Sequence, residues 1–219
     1  MSDAFELPMF PLGTVLLPGM VLPLHVFEPR YRVLVDRCLA ADRRFGVALI
    51  ERGSEVGGGE LRTDVATVAE IVDLQRFDDG RYALVAVGCE RVRVVEWLDD
   101  DPHPRATVEP WPDGAVGDDF DAEVAAVTRR LRSVLALATE LGYDVPAATF
   151  ELSDDPVGAS HALVILSPVG PADRWRLLCA PGPSERLALL APMLDEQAEV
   201  LEATAALDAS TQTDEPDER

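Results

Sequence analysis

Residues 10–39 read FPLGTVLLPGMVLPLHVFEPRYRVLVDRCL, a strongly apolar stretch that four prolines interrupt. A membrane-spanning helix needs about 20 consecutive apolar residues, and a proline inside a helix removes a backbone donor and kinks or breaks it. A secretory signal begins with a basic segment, whereas this chain begins with the acidic MSDAFE. The stretch therefore predicts a folded, extended segment in a cytoplasmic protein, with no membrane as a partner.

The stretch divides into elements at its prolines. LGTVLLPG (12–19) predicts a short strand that ends in a turn at the Pro-Gly pair, and MVLPLHVF (20–27) predicts a second strand. Because proline lacks a ladder donor, we expect Pro23 at a sheet edge or a bulge. Glu28 and Pro29 predict a helix start, since proline suits the first helical turn and glutamate complements the helix dipole there.

The remainder of the chain changes character once. Apolar runs with a hairpin signal at DDG (78–80) indicate six or seven strands in antiparallel hairpins, with a bend or bulge near Gly88. After about residue 117 the apolar spacing becomes helical, and four helices are expected. We predict an α+β fold with three parts: a β-barrel subdomain with one early helix at 1–117, an α-helical bundle at 118–207, and a disordered acidic tail at 208–219.

Composition excludes several function classes. The 219 residues carry a formal net charge of −21, which repels phosphate backbones, so no nucleic-acid partner is expected. The chain contains no lysine, which excludes a Ser–Lys peptidase dyad and a P-loop. The three cysteines lie far apart in apolar contexts and predict reduced, buried thiols.

No catalytic, metal or cofactor site is predicted. The three histidines lie in different segments, without the clustered spacing that metal ligands need. Ser160 and His161 are neighbours on a predicted helix, where their side chains diverge. GGGE (57–60) lacks the strand and helix that flank a dinucleotide-binding loop, so it is interpreted as an ordinary loop.

Two groups of residues are candidates for binding. Phe77, Tyr82, Trp97 and Trp111 fall near strand ends, where they would line a peptide groove or form ordinary barrel core. Arg30 and Tyr31 share one helical turn with Arg32, which suits recognition of a phosphate or carboxylate, or internal pairing with nearby acids.

The order of these motifs resembles a known family. LPMFPLGTVLLPGMVLPLHVFEPRYRVLVDRCL (7–39) is similar to the start of the N-terminal substrate-binding domain of Lon proteases. The likeness continues through residues 45–58 and 66–94 and, more loosely, 174–194, so that it covers roughly 5–205. The resemblance implies a PUA-like barrel followed by a helical bundle. It also implies a stand-alone substrate-binding protein, to which the catalytic residues of Lon do not transfer.

Two functions follow as hypotheses. The first is a non-enzymatic recognition module of protein quality control, which binds unfolded or damaged protein segments and passes them to an ATP-dependent protease. The alternative is a small-ligand sensor with a cereblon-like barrel pocket, for which Trp97 and Trp111 would form an aromatic cage. RNA binding and hydrolysis are the weaker options.

Overall fold

The computed structural model describes residues 4–52 and 61–213, so the expectations for the 53–60 loop and for the last six residues of the tail lie outside the described residues. The fold is mixed α+β, as predicted. Its elements in chain order are β1 (Phe5–Leu12), β2 (Val21–Val26), α1 (Pro29–Ala40), β3 (Arg44–Arg52), β4 (Leu61–Arg76), β5 (Tyr82–Leu98), β6 (Arg105–Pro110), α2 (Phe120–Glu140), α3 (Pro156–Leu166), α4 (Pro171–Leu178) and α5 (Pro183–Thr213).

Five of the six described strands pair in a closed circuit. The order of pairing is β5, β4, β3, β1 and β6, and β6 pairs again with β5, while β2 is attached to β5 alone. The circuit explains the length of β5, because its first half pairs with β2 and its second half pairs with β6 along the same edge. The predicted irregularity near Gly88 is confirmed, since a register shift separates Gly88 from Glu90 at the change of partner.

One pairing departs from the predicted all-antiparallel arrangement. β1 and β3 are parallel, with Met9 opposite Gly46. Parallel neighbours need a long crossover connection, and here β2 and α1 together form it. The sheet is therefore mixed, which local hairpin signals could not indicate.

The first strand also lies earlier than predicted. β1 ends at Leu12, and the remainder of the segment that was expected to be a strand, 13–19, contains no strand; its residues Val15, Leu16 and Leu17 are buried. Its buried carbonyls still have partners, since Thr67 Oγ1 donates to the Leu16 carbonyl at 2.7 Å. The expected Pro-Gly turn is confirmed by a bond from the Met20 N–H to the Leu17 carbonyl.

Helix α1 begins at Pro29, as predicted, and buries one face. Tyr31 stacks on Phe10 with 4.0 Å between the ring centroids, inside a core cluster to which β1, β2, β3, β4 and β5 contribute. Arg32, on the same helix, reaches the β4–β5 hairpin. A Cβ added to Gly80 would lie 2.1 Å from Arg32 Nη2, which shows how closely Arg32 approaches the turn; the φ of +80° at Gly80 is what favours glycine there.

The chain forms two compact units. One contains residues 1–113 together with 171–179, and the other contains 114–170 with 180–219. The sequence placed 171–179 with the later helices, whereas α4 belongs to the unit of the strands. One contact that joins them is the hydrogen bond that Arg91 of β5 donates to the Leu178 carbonyl at 2.6 Å. In the second unit α2, α3 and α5 pack on one another.

The last helix is longer than predicted. α5 continues to Thr213, beyond residue 208, where disorder was expected to begin, and it includes Pro192. No glycine or proline follows Pro192 until Pro216, so nothing local stops the helix earlier. None of the described helices combines the length and the apolar character that a membrane span requires.

Candidate functional site

Three strands present an apolar surface to solvent. Across β2 and β5, Val21 lies opposite Val87 and Pro23 lies opposite Val85. Residues directly opposite each other share a face of the sheet. The other face of these strands supplies Leu22, Leu84 and Ala86 to the core, so this face is the outer one.

The outer face leaves apolar side chains exposed to solvent. Val21 is 57% exposed and Pro23 is exposed, and Val85 and Val87 are half-buried. On β4 a bulge between Ile71 and Asp73 turns Val72 outward as well. We call Val21, Pro23, Val72, Val85 and Val87 the apolar sheet face; a patch of this kind marks an interaction surface more often than a chance arrangement.

Two phenylalanines extend this surface at one end. Phe27, which follows β2, is 57% exposed, and Phe77, in the β4–β5 turn, is 36% exposed. Together with His25, Val26, Arg81 and Tyr82 they line a cavity of about 110 Å³. A second cavity, of about 100 Å³, shares His25, Val26 and Phe27 and reaches Tyr31. Each is large enough for one small apolar side chain.

The structure brings four of the six sequence candidates to this end. Phe77 and Tyr82 line the first cavity and Tyr31 lines the second. Arg30 lies over the Tyr31 ring at 4.5 Å and pairs with Glu28 at 3.2 Å, so its charge has an internal partner. This geometry favours the internal-pairing alternative over a phosphate or carboxylate site.

Tyr82 has a structural role beside the cavity. Its ring is buried, and its hydroxyl donates to Asp36 Oδ1 at 2.5 Å. Burial and this hydrogen bond raise the pKa of Tyr82 above its usual range. The exposed apolar contact at this end therefore comes from Phe27 and Phe77, and Tyr82 holds α1 to the strand.

The two tryptophans lie elsewhere and apart. Trp111 lies between two guanidiniums, with Arg91 at 4.4 Å and Arg93 at 4.7 Å from its ring, whereas Trp97 packs under Arg62 at 4.8 Å. The backbone N–H of Trp111 donates to the Arg91 carbonyl, which places Trp111 beside Arg91 on β5. Trp97 lies six residues farther along β5, a distance of about 20 Å along the strand. An aromatic cage made by both rings is not formed.

A larger cavity lies in the same unit. It has a volume of about 460 Å³ and is lined by Gly13, Leu49, Ile50, Thr63, Pro171, Ala172, Trp175 and Arg176. Trp175, the third tryptophan, was not a sequence candidate. Its volume is that of a small-ligand pocket, whereas the apolar sheet face can accept an extended chain.

Acidic side chains border the apolar sheet face. Glu70 lies opposite Val87 and Asp73 lies opposite Val85 on β4, and both are exposed. Asp79 in the adjoining turn is ionised readily, because the Arg81 backbone N–H, and after it the Arg81 side chain, lower the pKa of its carboxyl. The rim therefore complements a ligand that is apolar and positively charged.

Metal ligands and reactive thiols were sought among the described residues. These residues contain no cluster of three or more histidine, cysteine or carboxylate side chains that could hold a metal ion. Burial raises the pKa of the Cys38 thiol to about 12 and that of Cys179 to about 11, which keeps both thiols protonated and unreactive.

The sequence did contain a signal for the residues that were missed. A strand with one solvated face normally alternates apolar and polar residues. VLPLHV on β2 and YALVAVG on β5 are apolar on both faces instead. Apolar residues on both faces predict that one face packs in the core and that the other is an apolar surface. The pattern does not say which face is exposed, so it could not single out Val21, Val85 and Val87.

Comparison with known proteins agrees with this architecture. The family model of the ATP-dependent protease La (LON) substrate-binding domain matches residues 6–196. A Lon N-terminal domain protein from Xanthomonas campestris is 29% identical, with a TM-score of 0.60 over 85% of this chain and 96% of that one. The N-terminal domain of a Mycobacterium avium complex Lon protease shares the fold, with 19% identity and a TM-score of 0.63 over 87% of this chain and 98% of that one.

Curated relatives are longer proteins. The Lon protease of Anaeromyxobacter dehalogenans is 28% identical over 210 residues, which cover 93% of this chain and 25% of the relative. The chain thus spans about a quarter of the length of that relative. Because the family model covers most of the sequence, the chain belongs to the LON substrate-binding domain family.

Proposed function

We propose that this chain is a non-catalytic recognition module of protein quality control that binds apolar segments of unfolded or damaged proteins. The observations that carry the proposal are the apolar sheet face and the two phenylalanines at its end: Val21, Phe27 and Phe77 are all exposed. Unfolded proteins expose the apolar side chains that folded proteins bury, so they are the natural ligands of such a surface.

Family membership supports a role in substrate recognition. The matched family is the substrate-binding domain of an ATP-dependent protease, and a relative is itself a Lon protease. We therefore propose that an ATP-dependent protease receives the bound segments, and that the chain acts in the cytoplasm without ATPase or peptidase activity of its own. The closed circuit of strands fits the proposed PUA-like barrel, and the packed helices α2, α3 and α5 fit the proposed helical bundle.

Binding to a permanently unfolded, basic protein tests the proposal. Reduced and alkylated lysozyme serves as the probe, with folded lysozyme as the comparison. We expect the chain to bind the unfolded form only, with a Kd that rises at least fivefold in Phe77→Ser and in Val21→Ser, since each change removes about 1 kcal/mol or more of apolar contact.

Two exposed apolar residues outside the proposed surface provide matched controls. Phe5 is 38% exposed on β1, close to the 36% of Phe77, and Val200 is 61% exposed on α5, close to the 57% of Val21. Phe5→Ser and Val200→Ser should leave the Kd within twofold. An equal loss of affinity in the test and control variants would refute recognition at the apolar sheet face. Equal affinity for folded and unfolded lysozyme would refute it as well.

A further inference from the structure

Strand β2 has one edge that no other strand among the described residues occupies. It pairs with β5 along its whole length, from Val21 opposite Val87 to Val26 opposite Tyr82, and it is the terminal strand in the pairing order. The hydrogen-bonding groups of a terminal strand alternate: every second residue directs its N–H and C=O toward its neighbour, and the residues between direct theirs outward.

Two backbone bonds fix this alternation. At one end the Gly88 N–H bonds to the Met20 carbonyl, so Met20 and Gly88 form a hydrogen-bonded pair. Two-residue steps then assign Leu22, Leu24 and Val26 to bonds with β5. At the other end the Phe77 N–H donates to the Arg81 carbonyl, so Phe77 and Arg81 form a hydrogen-bonded pair between β4 and β5. Two-residue steps then direct the backbone N–H and C=O groups of residues 83, 85 and 87 toward β4. The backbone groups of residues 82, 84 and 86 are left for β2. Both ends give the same assignment.

The outward groups of β2 therefore belong to Val21, Pro23 and His25. All three side chains are exposed. Pro23 has no N–H, so this edge offers two donors, at Val21 and His25, and three carbonyl acceptors. The two donors are four residues apart, about 13 Å along the strand.

The exposed edge and the apolar sheet face are continuous. The side chains of Val21 and Pro23 belong to the apolar sheet face, while the same residues direct their backbone groups outward. A chain laid along this edge would satisfy the outward groups and, at alternate positions, extend the apolar rows Val21–Val87 and Pro23–Val85. The client residues between these positions would carry their side chains on the opposite face of the strand, away from Glu70 and Asp73, so the net charge of −21 is what favours lysine or arginine there.

We propose that an extended client segment, apolar at alternate positions and basic between them, binds as an additional antiparallel strand on the free edge of β2. This inference rests on the proposed function and specifies how the client is held: backbone hydrogen bonds supply affinity that does not depend on client sequence, and the apolar sheet face supplies the preference for apolar side chains. Pro23 removes one donor in the middle of the edge, which limits pairing between two copies of this chain.

Backbone methylation of a client peptide is the direct test. The probe is a fluorescent nine-residue peptide of alternating valine and lysine, and its Kd is measured by anisotropy. In an antiparallel pair, the peptide residues whose side chains lie over the apolar sheet face direct their N–H groups at β2. N-methylation of two valines should weaken binding about tenfold or more, whereas N-methylation of two lysines should change it less than twofold.

The protein side has a matched pair of variants. Val21→Pro removes the outward N–H but keeps an apolar side chain, and Val21→Ala keeps the N–H but shortens the side chain. If β2 gains a partner strand, V21P should weaken binding of the valine–lysine peptide about fivefold more than V21A does, because only V21P removes the backbone donor. The methylated peptides test the proposal on the unaltered chain should V21P fail to fold.

Amide hydrogen exchange separates this proposal from the proposed function. The N–H groups of Val21 and His25 should exchange at least tenfold more slowly when the valine–lysine peptide is bound, while that of Leu24, already directed at β5, should change little. A peptide that binds without slowing the Val21 and His25 amides, or with equal sensitivity to both methylation patterns, overturns strand addition and leaves recognition by the apolar sheet face standing. Failure of both the peptide and unfolded lysozyme to bind overturns both.

Discussion

At the scale of single residues, His103 shows how the fold selects one protonation state. Its side chain is 1% exposed, its Nδ1 lies 2.9 Å from the Pro104 carbonyl, and its Nε2 lies 3.2 Å from Arg37 Nη1. A carbonyl only accepts and a guanidinium only donates, so Nδ1 carries the proton and Nε2 accepts. Burial, with the Arg37 charge acting in the same direction, lowers the pKa of His103 below its usual range.

This neutral histidine predicts a loss of stability in mild acid. Below about pH 6.5 the unfolded chain binds a proton at this position that the folded chain does not, so the free energy of unfolding falls as pH falls from 7 toward 5. The change attributable to one site is at most about 1.4 kcal/mol per pH unit. His103→Gln should reduce the slope between pH 7 and 5.5, measured by urea denaturation.

The comparison must be one of slopes, because H103Q also alters packing. Between pH 7.5 and 8 the imidazole is neutral in both states, so variant and parent should show equal slopes there. An unchanged slope below pH 7 in H103Q would contradict the assignment of the neutral state to His103.

At the scale of elements, the buried Arg91 links three segments of the strand unit. It lies on β5, pairs with Asp113 at 3.1 Å, donates to the Leu178 carbonyl of α4, and lies over the Trp111 ring. The Arg91 and Asp113 side chains are 1% and 8% exposed. A guanidinium this deep in the fold depends on its partners, since an uncompensated buried charge is strongly unfavourable.

Asp113→Asn is therefore expected to be costly. The substitution keeps the shape of the side chain and removes its charge, and the free energy of unfolding should fall by about 3 kcal/mol. Glu6→Gln is the matched control, because Glu6 pairs with Arg105 at 2.8 Å and its side chain is 55% exposed. This substitution should lower the free energy of unfolding by less than about 1 kcal/mol. Equal losses in urea denaturation would show that burial of the Arg91 pair does not matter.

At the scale of the whole molecule, the charge of −21 acts on every ligand that approaches. Such a charge accelerates and strengthens encounters with basic segments and keeps the protein soluble while an apolar surface is exposed. The rim carboxylates Glu70 and Asp73 place part of this charge beside the apolar sheet face.

Binding of basic clients should accordingly depend on salt. Raising NaCl from 50 to 500 mM shortens the screening length from about 14 Å to about 4 Å, so affinity for the valine–lysine peptide should fall about tenfold. A peptide in which glutamine replaces every lysine should bind more weakly at low salt and change less than twofold across the series. Equal salt dependence of the two peptides would exclude a role for the acidic surface.

Much of the local structure could be predicted from sequence, because its causes are local. Proline at the first helical position starts α1 at Pro29, and DDG makes the β4–β5 turn. Pro23 lies on a terminal strand, as its missing donor requires. The family, too, was evident from the order of motifs along the first 94 residues.

Only the tertiary structure decided which apolar residues are left in solvent. Alternation along β2 and β5 defines two faces of a strand, but the packing of α1 on Leu22, Leu84 and their neighbours determines that Val21, Val85 and Val87 are outside. In the same way, the parallel pairing of β1 with β3 and the return of β6 to β5 join residues far apart in sequence. The sequence by itself determined most of the elements and the family, since propensity and turn chemistry act over a few residues. The exposed face and the free edge of β2 depend on contacts that exist only after the chain has folded.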